Sequence, residues 1–422
     1  MIEKNVLGYL LNNTSYYFAY YQQLKPEMFA EHQDIFEKYV ALVHTSKPSL
    51  YELSKFFPYE LLSKISSGVD FSITFPECIK ILRDEYTQRK LTALGMQLSF
   101  GSTVERMKIL EDTLNDITGS EIHDVTTISD GIDRVFDMIV KSRTDGLSGV
   151  GTGLEEYDKF TGGLQSSDLI IIAGETSQGK TSLALTMLRH AVTRFGARVC
   201  VFSYEMTDRQ IIARLIAQAS GINSKRLMTS KVSDEEIEEA KKKITDLKDA
   251  KLFIDPCKNT SIDYLCNNLR AYKMRYDINV AVVDYLQLLK GETRVSREQE
   301  VGNNARRLKN LAKELNITVI ALSQLSREKG SPKPTLNRLR DSGQIEEAAD
   351  QVLFVYRPEM YGIEHFDDTD ISTCGMAHVF LAKGRNVGIC NFYLNFDKHT
   401  TEFTNYKSYD FSETPRDFTA PF

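Results

Sequence analysis

The sequence predicts an α/β domain with a mostly parallel central sheet, preceded by an all-α N-terminal domain and a linker helix. In the second half of the chain, short apolar runs rich in β-branched residues alternate with helical segments. The first of these runs leads into a glycine loop of the pattern G-x-x-x-x-G-K-T. Residues 1–120 instead repeat apolar side chains at helical spacing and contain little glycine. At 422 residues, the chain is long enough for two domains or more.

The N-terminal domain is predicted over residues 1–120, as a helical bundle followed by a helical hairpin. Pro76 marks a helix start, because proline is tolerated in the first turn of a helix, and Gly101 followed by Ser102 predicts a break. A linker is predicted over 121–150, with an amphipathic helix at 128–143. Its apolar stripe is Ile128, Ile132, Val135, Phe136 and Ile139. A narrow stripe of this kind must be covered either by its own domain or by a neighbouring subunit.

The α/β domain is predicted over residues 151–405, with the last strands antiparallel. The strand candidates are 169–173, 199–203, 252–255, 280–284, 318–322, 352–356, 377–383 and 391–396. The tail at 406–422 has no periodicity, and we expect it to be mobile.

Apolar run lengths and charge distribution exclude some classes of protein and favour others. No apolar run approaches the roughly 18–20 residues that span a bilayer, and the N-terminus lacks a signal-peptide core, so we expect a cytosolic protein without a membrane partner. Residues 285–340 contain twelve Lys or Arg and five Asp or Glu, a local charge of +7 in a chain whose net charge is −6. Such a strip indicates either a confined anion-binding surface, such as a channel, or a solvated charged face.

The glycine loop is the strongest functional signal. It consists of Gly174, Glu175, Thr176, Ser177, Gln178, Gly179, Lys180 and Thr181. A helix follows the loop, so free backbone N–H groups and the helix dipole favour a bound polyphosphate. Lys180 is predicted to reach the terminal phosphates, and the Thr181 hydroxyl to bind Mg²⁺.

A nucleotide-hydrolysing site also needs one carboxylate for the metal and another for the attacking water. Asp284 ends an apolar strand candidate, and ligands bind α/β sheets at the carboxyl ends of strands, so Asp284 is the predicted metal carboxylate. Glu205 follows another strand candidate and is predicted to be the general base, the alternative being a solvent-facing carboxylate at a helix start. Gln324, after a third strand candidate, is a predicted γ-phosphate sensor.

Six sequence blocks resemble the replicative hexameric DNA helicases of the DnaB family, in order and spacing, through residues 150–403. The blocks are 151–165 leading into the glycine loop, 203–206, 284–288, 321–327, 339–350 and 383–386. Residues 1–145 resemble the helical N-terminal domain and linker helix of that family much more weakly. The fold implied is a RecA-like P-loop ATPase.

The resemblance implies that ATP and Mg²⁺ bind at the loop, with Glu205, Asp284 and Gln324 in the roles given above. It also implies that Lys383 and Arg385 reach the nucleotide of the adjacent subunit, in a homo-oligomeric, hexameric ring. The implied activity is ATP-dependent unwinding of forked DNA by translocation on single-stranded DNA in the 5′–3′ direction. The implied partners are a primase and a helicase loader.

Within this basic strip, the segments 290–306 and 327–340 would then face the DNA in the central channel. The candidates for DNA-phosphate contacts are Arg294, Arg297, Arg327, Lys329, Lys333 and Arg338. Two positions depart from the family pattern. Glu175 stands where arginine is common, which brings a negative charge close to the phosphates, and Val387 separates Asn386 from the glycine that usually follows it directly.

Two other functions fit a P-loop ATPase core. The first is a RecA-like strand-exchange recombinase, and the second is a non-enzymatic ATP-binding protein that uses nucleotide as an assembly switch. The helical N-terminal region, the linker helix and the late Lys383 and Arg385 favour the helicase over the recombinase. The combination of Glu205, Asp284 and Gln324 favours hydrolysis over a switch.

Overall fold

The computed structural model describes residues 2–45, 48–98, 102–118, 128, 132–133, 135–137, 139–140, 146–291, 296–325, 332–367 and 369–406. Contacts divide the chain into two compact units. One comprises Met1–Lys141 with Asp263–Asp277, and the other comprises Ser142–Ile262 with Ile278–Phe422. The tail beyond Tyr406, predicted to be mobile, lies outside the described residues.

The first unit is helical, as predicted. Its α-helices are Ile2–Asn12, Ser15–Tyr20, Gln33–Thr45, Leu50–Ser54, Tyr59–Ser67, Phe75–Gln97 and Thr103–Thr118, joined by Ile262–Tyr276 from later in the chain, with 3₁₀ turns at Tyr21–Gln23 and Pro26–Met28. Phe29 stacks on Phe36 with ring centroids 4.3 Å apart, and both are buried. The buried Tyr39 hydroxyl donates to Leu10 O at 3.0 Å. The apolar positions at helical spacing therefore form one core.

The helix Phe75–Gln97 begins where Pro76 predicted a start. Pro76 lies in its first turn, and the Glu77 carboxylate accepts a hydrogen bond from Thr74 N at 2.8 Å. The next helix, Thr103–Thr118, begins in the same way, because Glu105 accepts from Ser102 N at 2.7 Å. Each glutamate satisfies a backbone donor that the helix itself leaves unpaired.

The predicted linker helix exposes its apolar stripe. The residues described between 128 and 140 are helical. The five stripe residues are all exposed, by 37% to 85%: Ile128, Ile132, Val135, Phe136 and Ile139. In the part of the chain that the structure describes, nothing covers this face.

The second unit is built on a nine-stranded sheet. Its strands are β1 Leu169–Gly174, β2 Val199–Ser203, β3 Leu252–Asp255, β4 Val280–Asp284, β5 Thr318–Gln324, β6 Gln351–Tyr356, β7 Met376–Gly384, β8 Cys390–Asp397 and β9 Glu402–Asn405. Their order is β3-β2-β4-β5-β1-β6-β7-β8-β9. All pairs from β3 to β6 are parallel, and those from β6 to β9 are antiparallel. The predicted fold class is confirmed.

Helices cover this sheet, so its central strands are buried on both faces. Every residue of β1, β2 and β4 is buried, which explains why these strands read as continuous apolar runs. The helices are Glu155–Thr161, Lys180–Arg194, Asp208–Ser220, Ser224–Met228, Asp234–Lys243, Thr245–Asp249, Arg297–Leu315 and Gly343–Ala348, with 3₁₀ turns at Leu286–Leu288, Leu336–Ser342 and Pro358–Tyr361. Of the helices that the structure describes, none is long and apolar enough to cross a membrane.

Candidate nucleotide site

The parallel strands bring the predicted site residues to one edge of the sheet. In the register, Gly174 at the end of β1 lies opposite Gln324 of β5, and Ser203 at the end of β2 lies opposite Asp284 of β4. Glu205 follows Ser203 by two residues. The glycine loop, both carboxylates and the predicted sensor therefore meet at the carboxyl edge.

The two glycines of the loop are required by their surroundings. Gly179 has a φ of 100° and precedes the helix Lys180–Arg194. A Cβ atom on Gly179 would lie 2.8 Å from the Phe403 ring, and one on Gly174 would lie 2.9 Å from Val355 O. A side chain at either position would move the loop away from the strands that shape it.

Lys180 reaches back into the loop. Its ammonium donates to Gly174 O at 2.9 Å and to Glu175 O at 3.0 Å. Burial lowers the pKa of Lys180, and the charges of Asp284 and Glu205 oppose that shift. The cation is therefore held on the loop's inner side, between the backbone and the carboxylates.

Thr181 and Asp284 form a pair of oxygen donors. The Thr181 hydroxyl donates to Asp284 Oδ2 at 3.0 Å, and Asp284 is 4% exposed. Burial raises the pKa of Asp284 to about 6, with Glu205 adding to the rise, while Thr181 and Lys180 lower it. A hydroxyl and a carboxylate beside a phosphate loop are the hard oxygen ligands that suit Mg²⁺.

Glu205 is exposed near Asp284, and the cationic side chain of Arg214 interacts with both carboxylates. Arg214, on the helix Asp208–Ser220, is half-buried, and its pKa is lowered by burial and raised by the charges of Asp284 and Glu205. Sequence reasoning missed Arg214, since an arginine on an amphipathic helix carries no motif. It offsets part of the negative charge that the two carboxylates bring together.

Gln324 already contacts the phosphate loop. Its side-chain amide donates to Thr176 Oγ1 at 2.8 Å. Gln287 fixes the end of β5 through its Nε2, which donates to Ser323 Oγ at 2.9 Å and to Gln324 O at 3.2 Å. Gln287 belongs to a family-like block but received no role from the sequence.

Gln178, another polar residue of the loop, is held by residues that follow β6. Gln178 Oε1 accepts from Arg357 N at 2.6 Å, and Gln178 Nε2 donates to the Tyr361 hydroxyl at 3.2 Å. Ser177 has a φ of 68°, the left-handed conformation that reverses the chain inside the loop. The loop is thus anchored to residues that follow β6.

Glu175 forms an ion pair with Arg338 Nη2, and it accepts from the Tyr361 hydroxyl at 2.9 Å. Arg338 is only 4% exposed. This burial contradicts the prediction that Arg338 contacts DNA phosphates, because its guanidinium is directed into the protein against the phosphate loop. A count of charged residues in the sequence cannot distinguish a buried arginine from the exposed basic residues near it.

Two other predicted DNA contacts lie on the surface. Arg297 pairs with Glu300 and keeps 51% of its side chain exposed. Lys333 lies 3.3 Å from Asp367 with 44% of its side chain exposed. Both residues stay predictions. Three further candidates lie outside the described residues: Arg294, Arg327 and Lys329.

Lys383 and Arg385 lie at the opposite edge of the sheet. Strand β7 is antiparallel to β6, so Gly384 pairs with Gln351 at the start of β6. Because β1 is six residues long and parallel to β6, roughly 16–20 Å of strand separates this edge from the glycine loop, at about 3.3 Å per residue. The two cations therefore cannot reach the loop of their own chain.

Both cations are tethered at that edge. Lys383 Nζ donates to Glu346 O, and Arg385 Nη2 donates to Glu347 O at 3.1 Å. Arg385 Nη1 also lies 3.3 Å from Asp350 Oδ1. These contacts come from the helix Gly343–Ala348 and from Asp350, two residues after it, and the helix follows the turn that contains Arg338.

Comparison with known proteins identifies the architecture. Residues 149–405 match the family described as DnaB-like helicase C terminal domain. The chain belongs to this family. A probable replicative DNA helicase of Trieres chinensis is 32% identical to it over 368 residues, which cover 84% of this chain and 80% of the relative. The replicative DNA helicase DnaB of Geobacillus stearothermophilus is 28% identical over 432 residues, covering 96% and 93%.

Solved structures show the same likeness. One of them, described as an ATPase domain, aligns with a TM-score of 0.61 and 29% identity, covering 67% of this chain and 100% of that domain. A DnaB-like replicative helicase, described with its interactions with primase, aligns with a TM-score of 0.59 and 25% identity over 96% of this chain and 99% of its own. The resemblance to DnaB-type replicative DNA helicases is confirmed, and the recombinase alternative is not favoured.

Proposed function

We propose that this DnaB-family helicase is an ATP-driven hexameric ring that moves 5′–3′ on single-stranded DNA and unwinds forked duplex. One observation carries the proposal: the hydrolytic residues meet at one edge of the sheet, while Lys383 and Arg385 lie at the other. An arrangement of this kind supports a site completed by a neighbouring subunit, and heterologous contacts repeated around a closed ring supply such a neighbour.

Each site residue at the carboxyl edge of the sheet has a role that follows from its position. The loop amides and Lys180 bind the triphosphate of ATP, and Glu205 accepts the proton of the attacking water. Gln324 detects the γ-phosphate through the loop contact that it makes with Thr176. Mg²⁺, held by Thr181 and Asp284, would neutralise charge on the phosphates when bound.

Two exposed features, Arg385 and the apolar stripe of the linker helix, support assembly into a ring. Arg385 is exposed and too far from its own loop to assist there, so it would stabilise the charge of the nucleotide on the adjacent subunit. The exposed apolar stripe at 128–139 would be covered by a second copy of the chain.

The residues 290–306 and 327–340 would then line the central channel, with Arg297 and Lys333 among the contacts to DNA phosphates.

The partners follow from the family. A primase is proposed because a helicase of the same architecture is described with primase interactions. A helicase loader is proposed on family resemblance. We place the activity in the bacterial cytoplasm, because most of the relatives named as DnaB come from bacteria.

Substitution of Lys180 by alanine tests the ATP site. We expect Lys180→Ala to lower DNA-stimulated ATP hydrolysis by at least about 100-fold, because loss of one preorganised group that stabilises transition-state charge costs about 10²–10³-fold. Hydrolysis is measured with and without single-stranded DNA, alongside unwinding of a forked duplex.

The matched control is Lys241→Ala, on the exposed charged helix Asp234–Lys243, where the lysine pairs only at the surface. It should retain full hydrolysis. Normal unwinding by Lys180→Ala would refute the assignment of the site.

A further inference from the structure

The ion pair between Glu175 and Arg338 joins two parts of the second unit that the proposed function keeps separate. Glu175 lies within the phosphate loop, and Arg338 lies on the 3₁₀ turn Leu336–Ser342, inside the strip expected to face DNA. The side chains are 16% and 2% exposed, respectively. This is a buried, structured contact rather than an incidental surface pair.

The same guanidinium also binds the backbone at Pro332, within the segment 327–340 that is proposed to line the channel. Arg338 Nη1 donates to Pro332 O at 3.2 Å. One side chain thus links the phosphate loop with both ends of residues 332–338. Any movement of the loop must be transmitted to this segment, or else the ion pair must break.

A third group, the Tyr361 hydroxyl, also binds the Glu175 carboxylate. The Tyr361 hydroxyl donates to Glu175 Oε2 at 2.9 Å and accepts from Gln178 Nε2 at 3.2 Å. Burial and the Glu175 carboxylate raise the pKa of Tyr361 to about 12, so the phenol stays protonated and keeps donating. The carboxylate is therefore held toward Arg338, in a fixed geometry.

We propose that Arg338 is a positioning residue of the ATP site, which neutralises Glu175 so that the loop can accept a triphosphate and couples the loop to residues 332–338. The inference rests on the proposed function for its nucleotide. A carboxylate inside a phosphate loop repels the several negative charges of a triphosphate, and a buried arginine on that carboxylate removes most of the repulsion. Arg338 therefore acts on ATP through Glu175, not on DNA directly.

Three variants separate charge neutralisation from coupling. Arg338→Gln leaves Glu175 without its cation, and we expect the Kd for ATP to rise by roughly tenfold. The neutral pair E175Q/R338Q removes both charges, so its ATP affinity should return to that of the wild type. The reversed pair E175R/R338E restores an ion pair, and it should keep the DNA stimulation of ATP hydrolysis that the neutral pair loses.

Affinity is measured with a fluorescent ATP analogue in the absence of DNA, and coupling as the ratio of hydrolysis rates with and without single-stranded DNA. Arg226→Gln serves as control, because Arg226 forms an exposed ion pair with Glu236 outside both the phosphate loop and residues 332–338, and it should change neither quantity. Thermal unfolding of each variant shows whether that variant is folded. If Arg338→Gln does not fold, the comparison of the neutral pair with the reversed pair still tests the coupling.

The inference is overturned if Arg338→Gln binds ATP as the wild type does, if the neutral pair is as weak as Arg338→Gln, or if the reversed pair loses DNA stimulation as the neutral pair does. A loss of DNA affinity with unchanged ATP affinity would make Arg338 a DNA contact instead. Failure of the proposed function looks different, since the wild type would then bind ATP without any unwinding of DNA.

Discussion

Replacing Glu205 by glutamine should greatly slow ATP hydrolysis while ATP still binds. Glutamine has nearly the same shape but accepts no proton, so loss of the general base should lower the hydrolysis rate by about 10²–10⁴-fold. The variant keeps Lys180 for the proposed phosphate contacts, and removal of a negative charge near that lysine should leave ATP affinity equal or higher. Single-turnover hydrolysis and equilibrium binding of a fluorescent ATP analogue measure the two quantities separately.

A matched control for this variant is Glu239→Gln. Glu239 is an exposed glutamate paired with Lys243 on the charged helix of the second unit, and its loss should leave hydrolysis intact. If Glu205→Gln hydrolysed ATP at the wild-type rate, Glu205 would be the solvent-facing carboxylate of the alternative interpretation. Weak ATP binding by the variant would instead assign Glu205 to nucleotide binding.

Replacing Arg385 by alanine should inactivate the site of a neighbouring subunit. We expect hydrolysis to fall by about 10²–10³-fold, as when a preorganised charge donor is lost from a transition state. The arginine lies at the sheet edge away from its own loop, so the decisive measurement uses mixtures. Wild-type and Arg385→Ala subunits mixed before assembly should lose more unwinding activity than the variant fraction alone accounts for.

A complementation experiment sharpens this test. Subunits carrying Lys180→Ala retain Arg385, and subunits carrying Arg385→Ala retain an intact loop. Where the intact loop of an Arg385→Ala subunit faces the Arg385 of a Lys180→Ala subunit, that interface has a complete site. A mixture of the two inactive variants should therefore regain part of the hydrolysis. A mixture that stays inactive, together with a strictly linear loss in the first experiment, would contradict action between subunits.

The sequence predicted those parts of the fold that depend on local pattern. Buried parallel strands need continuous apolar runs, and the glycine loop needs small residues at fixed spacing, so β1 and the loop could be placed directly. The rule that ligands bind at carboxyl ends then brought Asp284 and Glu205 to the same edge. These predictions required no knowledge of long-range contacts.

The missed features depend on contacts between distant residues. Arg338 lies 163 residues from Glu175, and only the folded structure shows that this cation is buried while Lys333 is exposed. The strand Glu402–Asn405 was missed, because it is four residues long and buries only Phe403. Arg214 acts on the site through the charges of Asp284 and Glu205, and Gln287 acts through its hydrogen bonds to Ser323 and Gln324.

Unwinding of single-tailed duplexes tests whether the protein is an ATP-driven motor that moves 5′–3′ on single-stranded DNA. The wild-type protein is given duplexes with either a 5′ or a 3′ single-stranded tail, with and without ATP, and strand displacement is followed by fluorescence. We expect displacement that requires ATP and starts from the 5′ tail, increases on a fork, and is lost in Lys180→Ala. Displacement without ATP, displacement from the 3′ tail alone, or strand exchange between homologous molecules without unwinding would contradict this expectation.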